Sequence, residues 1–194
     1  MIYGERIRLR RDERADVPRF VEWLNDPEVT RYLGAFNLPI STANEEGWFE
    51  NMLRLPLDEQ PFAIEVRNAV PAAGVLPSEN RDDWKLIGNC GFRDFNRAVH
   101  SAEVGIFIGD KSCWNKGYGT EVMGLLLRVG FETLNLNRVF LRVDEENKGG
   151  IRAYEKAGFI HEGRLRQAAY LHGSYQDVLI MSVLRPEWAR MNNR

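Results

Sequence analysis

Only two cysteines, Cys90 and Cys113, and three histidines, His100, His161 and His172, occur in the 194 residues. They are scattered, with none of the spacings of a thiolate or imidazole metal site, so no metal is expected. No apolar run approaches the roughly 18 uncharged residues of a membrane span. Neither sign of charge dominates: Lys and Arg number 26, Asp and Glu 28, for a formal net charge of −2. A nucleic-acid binder would carry a basic stripe, and none stands out. The opening "MIYGERIRLRRDER" contains no apolar core of signal-peptide length, and reduced thiols in a cytoplasmic protein are expected. Repeats, low-complexity tracts and dividing linkers are also missing. What remains is 44% hydrophobic and 28% charged, an ordinary globular composition, read as a single domain over 1–194.

Hydrophobic periodicity sets out the elements. "ERIRLRR" (Glu5–Arg11) alternates as a half-buried strand does, with Asp12 or Asp16 as a cap for a helix through Phe20, Val21 and Leu24. Ser41 and Thr42 are candidate N-caps of a second helix, with Glu45 and Glu46 in its first turn. Pro61–Val66 and Trp84–Phe95 read as strands, Gly88 and Gly91 marking a bulge or a close backbone approach. Between them, about 68–83, lies a long hairpin loop rich in Pro, Gly, Asn and Asp. A strand over 102–108, a glycine turn, a broadly apolar helix and a strand over 138–144 form a βαβ unit, whose strands should run parallel. A short helix stops at Gly158, and two strands around Gly173 close the chain.

The glycine turn, "WNKGYGTE" (Trp114–Glu121), has no carboxylate between Lys111 and Thr120. A strand leading into a helix leaves the first helical N–H groups unpaired at the positive end of the dipole, where phosphate binds. Gly117 and Gly119 let an oxygen come close to the backbone, and Lys116 adds charge. The alternative is a tight turn that binds nothing. The third glycine of a dinucleotide fold and the Gly-Lys-Ser/Thr ending of a P-loop are both missing, so the pyrophosphate of another carrier fits better.

"GDKSCWNKGYGTE", with "VDEENKGGIRAYEKAGFIHEGRLR" some way downstream, resembles the GNAT superfamily of acetyl-CoA-dependent N-acetyltransferases, its pyrophosphate loop and its Asn…Tyr-x-x-x-Gly-Phe segment. The ending "RLRQAAYLHGSYQDVLIMSVLRPEW" is most similar to the branch of ribosomal-protein N-terminal acetyltransferases and spermidine acetyltransferase, and the likeness runs from Glu5 to Trp188. The resemblance implies an α/β, α+β-like fold: a central, mostly antiparallel sheet flanked by helices, with a splayed parallel pair at 102–108 and 138–144. It implies acetyl-CoA as donor, the pantetheine arm bonding near Ile106, Phe107 and Ile108 and the diphosphate on Trp114, Asn115, Lys116, Gly117, Tyr118, Gly119 and Thr120. Asn147 touches the arm from the far side or caps a helix. Trp114 stands where the motif has Gln or Arg, which removes one phosphate donor.

The same resemblance makes Tyr154 the acid that protonates the departing thiolate; the competing role is a core aromatic. Direct attack by an amine through a tetrahedral intermediate needs a base or a water relay, since aliphatic amines titrate near ~10. Glu103 shares a strand face with Gly105 and Phe107 and is the candidate base, a salt-bridged group being its alternative; His100 and His172 are weaker. Asp177 could orient an acceptor or sit at a strand edge. Trp48, Phe49 and Trp84 line a groove or fill a core. The runs "DEENK" and "RRDER" are read as solvated. The expected acceptor is a peptide or protein N-terminal amine. The alternatives are a polyamine, for which Glu45, Glu46 and Glu50 offer carboxylates, and a non-catalytic acyl-CoA-binding module. A nucleotide-binding α/β domain is a third class, and a homodimer is carried as an expectation.

Overall fold

The computed structural model describes residues 1–34, 38–68, 83–171 and 173–192. The expected hairpin loop and His172 therefore lie outside the described residues, apart from the loop's ends, where the Asn68 amide donates to the Asp83 carbonyl (2.8 Å).

Eight strands form one mixed sheet: β1 (Ile2–Tyr3), β2 (Ile7–Arg11), β3 (Phe62–Arg67), β4 (Trp84–Asn96), β5 (Ser101–Ile108), β6 (Arg138–Asp144), β7 (Ile160–Leu171) and β8 (Ser174–Leu184). Their spatial order is β1-β2-β3-β4-β5-β6-β8-β7, and every neighbouring pair is antiparallel except β5 and β6. That parallel pair is joined only at Ser101–Arg138, Ala102–Val139 and Glu103–Phe140. From Val104 onward the strands part, and β6-facing backbone groups of β5 are left without a sheet partner. The expected splay is thus present. The bulge expected in β4 is there too: Ile87 is the extra residue opposite Ile64 and Glu65. A β-carbon on the adjacent Gly88 would collide with the Phe107 carbonyl, so glycine is what lets β4 approach β5 there.

Five helices cover the sheet: α1 (Val17–Leu24), α2 (Thr42–Met52), α3 (Tyr118–Arg128), α4 (Lys148–Ala157) and α5 (Arg185–Asn192). Ser41 caps α2 in a reciprocal box with Asn44. Asp16, by contrast, makes no side-chain cap on α1; Arg10 holds both of its carboxylate oxygens. The strand pleat divides the core. Ala102, Val104, Ile106 and Ile108 pack with α3, α4 and α5, whereas Phe107 meets Phe20 and Trp23 of α1 edge-on at 6.2 and 6.4 Å. After α3 the chain makes one π-helical turn (Val129–Thr133), which sets Phe131 against Trp188 of α5. Helix α5 carries no strong periodicity and is not anticipated from sequence.

The two cysteines are free and buried. Among the described residues, no helix is long and apolar enough to cross a membrane.

Candidate active site

The gap between β5 and β6 opens into a cavity of about 1690 Å³ that runs through the sheet. Helices α3 and α4 present their N-termini on one side of it; α1, α2 and the end of β7 wall the other. That exceeds the ~300–1,000 Å³ of a usual small-molecule pocket and leaves room for two substrates. Ile106, Phe107, Ile108, Trp114, Asn115, Gly117, Tyr118, Gly119, Thr120, Asn147 and Tyr154 all line it; Lys116 and Glu103 do not.

The loop before α3 is built as an anion cradle. Asn115 (φ 59°) and Gly117 (φ 82°) are both left-handed, and Gly117 occupies the N-cap position. The first internal α3 bond runs from the Glu121 amide to the Gly117 carbonyl (3.1 Å), so the amides of Tyr118, Gly119 and Thr120 have no helical partner. A β-carbon at Gly119 would meet only the side chains of Ile108 and Ala153, at 3.9 and 4.0 Å. Nothing inside the protein requires glycine there, and its bareness leaves the amide surface open from the cavity. These features fit a diphosphate.

Trp114 explains its own departure from the motif. Its indole N–H donates to the Ile108 carbonyl (2.7 Å) and its ring packs with the α1 cluster, so it ties the loop to the parted end of β5. Lys116 is exposed, and it is the backbone that matters there: its carbonyl accepts from Arg6 Nη1 (2.9 Å). Arg6, more than a hundred positions upstream, also stacks over Tyr118 (4.8 Å) and pairs with Glu121 (2.9 Å). Arg6 thus stands beside the loop to which Lys116 was expected to add charge, and no local sequence signal links the two. Arg152 and Lys156, on one face of α4, line the cavity without an ion pair among the described residues and were likewise missed.

Asn147 is engaged as the N-cap of α4, its Oδ1 accepting from the Gly150 amide (2.9 Å). Tyr154 lies in the next turn, against Phe159 (6.1 Å). Burial pushes its phenol up to about 12, and its hydroxyl makes no hydrogen bond to a described residue. The group is therefore protonated and free to donate into the cavity.

Glu103 has a different setting. It is fully buried on the opposite sheet face from Tyr154, at the last bonded pair of β5 and β6. Burial would raise its pKa, but Arg142 (2.5 Å) and Arg93 (2.8 Å) more than offset this and hold it below the usual carboxylate range. His100 is exposed at the closed end of the pair, its carbonyl bound by the amides of Asn137 and Arg138. Asp177 accepts from Arg164 Nε and the Gln167 amide, fixing an irregularity in β7 that carries Leu165, Ala168 and Ala169 along the cavity wall. Of the three aromatics considered for the groove, Trp48 lines the cavity, Phe49 is buried against Val17, and Trp84 lies beneath Arg8 and Arg67.

The two charge runs are not simply solvated. Arg10 pairs with Asp16 and Glu65, and Asp144 is buried with its Oδ1 accepting from the Glu146 amide. Asp12 is buried too; burial first, then the charge of Asp16, pushes its carboxyl up to about 7. Its Oδ2 accepts from Asn89 (2.7 Å), itself on the cavity wall and paired across β4–β5 with Phe107.

With this geometry in place, residues 6–160 match the family described as the acetyltransferase (GNAT) domain. An uncharacterized N-acetyltransferase, p20, of Bacillus licheniformis is 31% identical over 189 residues, 97% of this chain and 98% of that protein. The spermidine N(1)-acetyltransferase of Vibrio cholerae serotype O1 is 33% identical over 103 residues, 53% of this chain and 59% of that enzyme. The spermidine N-acetyltransferase from Vibrio cholerae, solved with CoA and spermine, superimposes with a TM-score of 0.79 at 26% identity, covering 96% of this chain and 99% of that one. The two spermidine acetyltransferases correct the acceptor expected from the C-terminal strands, favouring a polyamine over a peptide or protein N-terminus. A family match over most of the chain, on a fold whose parted parallel strands leave an amide-lined cradle, makes this chain a member of the GNAT family and an acetyl-CoA-dependent N-acetyltransferase.

Proposed function

We propose that the protein transfers the acetyl group of acetyl-CoA to a primary amine of a polyamine of the spermidine and spermine class. The observation that carries the acceptor class is the near full-length likeness to the Vibrio cholerae enzyme solved with CoA and spermine. The through-going cavity supports two-substrate chemistry, because donor and acceptor can enter from opposite faces of the sheet.

Acetyl-CoA supplies an activated acyl group as a thioester. The amides of Tyr118, Gly119 and Thr120 hold its diphosphate, with Arg6 adding charge, and the stretch Ile106, Phe107 and Ile108, which has no strand on its β6 side, takes the amide-bearing arm. An N–H of the Phe107–Ile108 stretch steadies the carbonyl oxygen as negative charge develops there. The amine nitrogen bonds to the acetyl carbon, and the carbon–sulfur bond then breaks. Tyr154 gives its proton to the sulfur, and the proton released by the nitrogen passes to water. A carboxylate held by two guanidinium groups is a poor proton acceptor, so we give Glu103 the role of anchoring Arg93 and Arg142 rather than that of base.

An acceptor panel tests the reading: spermidine, spermine, simple monoamines and peptides with free N-termini, scored by the mass gain of one acetyl group. Polyamines should be acetylated at the highest kcat/KM, and a preference for peptides would sink the proposal. In the same assay Tyr154→Phe should lower kcat by about 10²-fold or more while CoA affinity stays within a few-fold.

A further inference from the structure

The three carboxylates of α2 do not act together. Glu46 and Glu50 turn outward and share Arg14. Glu45 turns inward: it is only 7% exposed and lines the cavity on the α1–α2 side. It makes no hydrogen bond or ion pair with a described residue, and burial alone raises its pKa. Of the other carboxylates lining the cavity, Glu28 is paired with Lys111 and Asp94 with Arg142, Asp144 accepts an amide through Oδ1 while its Oδ2 has no partner, and Glu146 is exposed; Glu45 is the buried one on the α1–α2 side with neither oxygen bonded to a described residue. A buried carboxylate without a partner is costly, and the folded chain keeps one on the wall of a substrate cavity. Trp48 and Met52 follow at i+3 and i+7, so the same helix face offers an apolar strip beside the charge.

Resting on the polyamine reading above, we propose that Glu45 is the residue that selects an acceptor with a second ammonium: its carboxylate receives the distal charged nitrogen, while the methylene spacer lies along Trp48. Only the nitrogen being acetylated must lose its proton. The distal nitrogen stays charged from binding to product, so its contact with Glu45 stabilises ground and transition states alike. Glu45 is a specificity-determining residue, and its loss belongs in KM rather than kcat.

The test is steady-state kinetics of the full chain with acetyl-CoA and two acceptors, spermidine and a linear alkyl monoamine of matched length. For Glu45→Gln the spermidine KM should rise by about 30-fold or more, with kcat within a few-fold and the monoamine KM unchanged. Thermal stability should hold or increase, since an unpaired buried charge has been removed; a merely structural glutamate would instead lower it and weaken both acceptors together. Glu45→Asp keeps the charge and should retain part of the preference, giving a reading even if Glu45→Gln does not fold. An unchanged spermidine KM, equal losses for both acceptors, or a Glu45→Asp protein with no preference would overturn the proposal. If the unaltered chain prefers spermidine and Glu45→Gln still does so equally, only this assignment fails. If the unaltered chain acetylates no polyamine, the functional reading fails and takes Glu45 with it.

Discussion

Two buried carboxylates, Glu103 on β5 and Asp12 just past the end of β2, shift in opposite directions because of what faces them. Glu103 meets two guanidinium groups, so its charge is favoured despite burial. Asp12 loses hydration, sits near the charge of Asp16, and keeps Oδ1 buried without a partner; Asn89, Arg10 and Arg11 only partly compensate. Its carboxyl moves from 3.8 to about 7, which makes it a stability switch. Between those values the folded chain holds a proton that the unfolded chain releases. This stabilising contribution is complete below the unfolded value and is lost as pH rises through about 7. At about 1.4 kcal/mol per tenfold change in proton affinity, the effect amounts to about 4 kcal/mol. Asp12→Asn should therefore match the unaltered protein in thermal unfolding at pH 4 and be clearly more stable at pH 8. A difference that does not grow with pH would contradict the assignment.

At the entry of helix α3, Gly117 and Gly119 answer to different demands, the first to the fold and the second, on the function proposed above, to the ligand. Gly117 needs its left-handed angle, so Gly117→Ala should cost about 1–2 kcal/mol of stability. Gly119 has ordinary space for a β-carbon, and alanine suits a helix better, so Gly119→Ala should melt no lower. The added methyl would cover the amides, and CoA affinity should fall about 10-fold or more by calorimetry. Loss of stability without loss of affinity in Gly119→Ala would reverse the two roles. This loop was legible in the sequence because glycine spacing, strand and helix all lie within a dozen residues. So were the βαβ unit, the Ser41 cap and the Gly158 stop, each specified locally. Arg6 was not, because it reaches the loop only through the pairing of β2 with distant strands. Nor could periodicity tell Glu45 from Glu46 and Glu50: that choice depends on which face of α2 meets α1 and which is left to the cavity. The acceptor inferred from the closing strands was wrong for a related reason, since those strands give the cavity a mostly apolar wall while α2 brings the charge.

At the scale of the whole molecule the sheet consists of two blocks, β1 to β5 and β6-β8-β7, joined by three residue pairs. The α3 helix and its cluster bridge them on one face, but the backbone of Val104 to Ile108 has no strand on its β6 side. Donor binding should supply those bonds. Hydrogen–deuterium exchange at Val104–Ile108 and Tyr118–Thr120 should slow strongly when CoA is added, with little change in β2 and β3, whose ladders are already complete. Uniform slowing across all strands would mean that CoA acts by global stabilisation alone. The short join also lies where the proposed chemistry takes place. Substitutions that zipped β5 onto β6 past Glu103 would make a protein that melts later and turns over nothing, so here thermal robustness and turnover pull against each other.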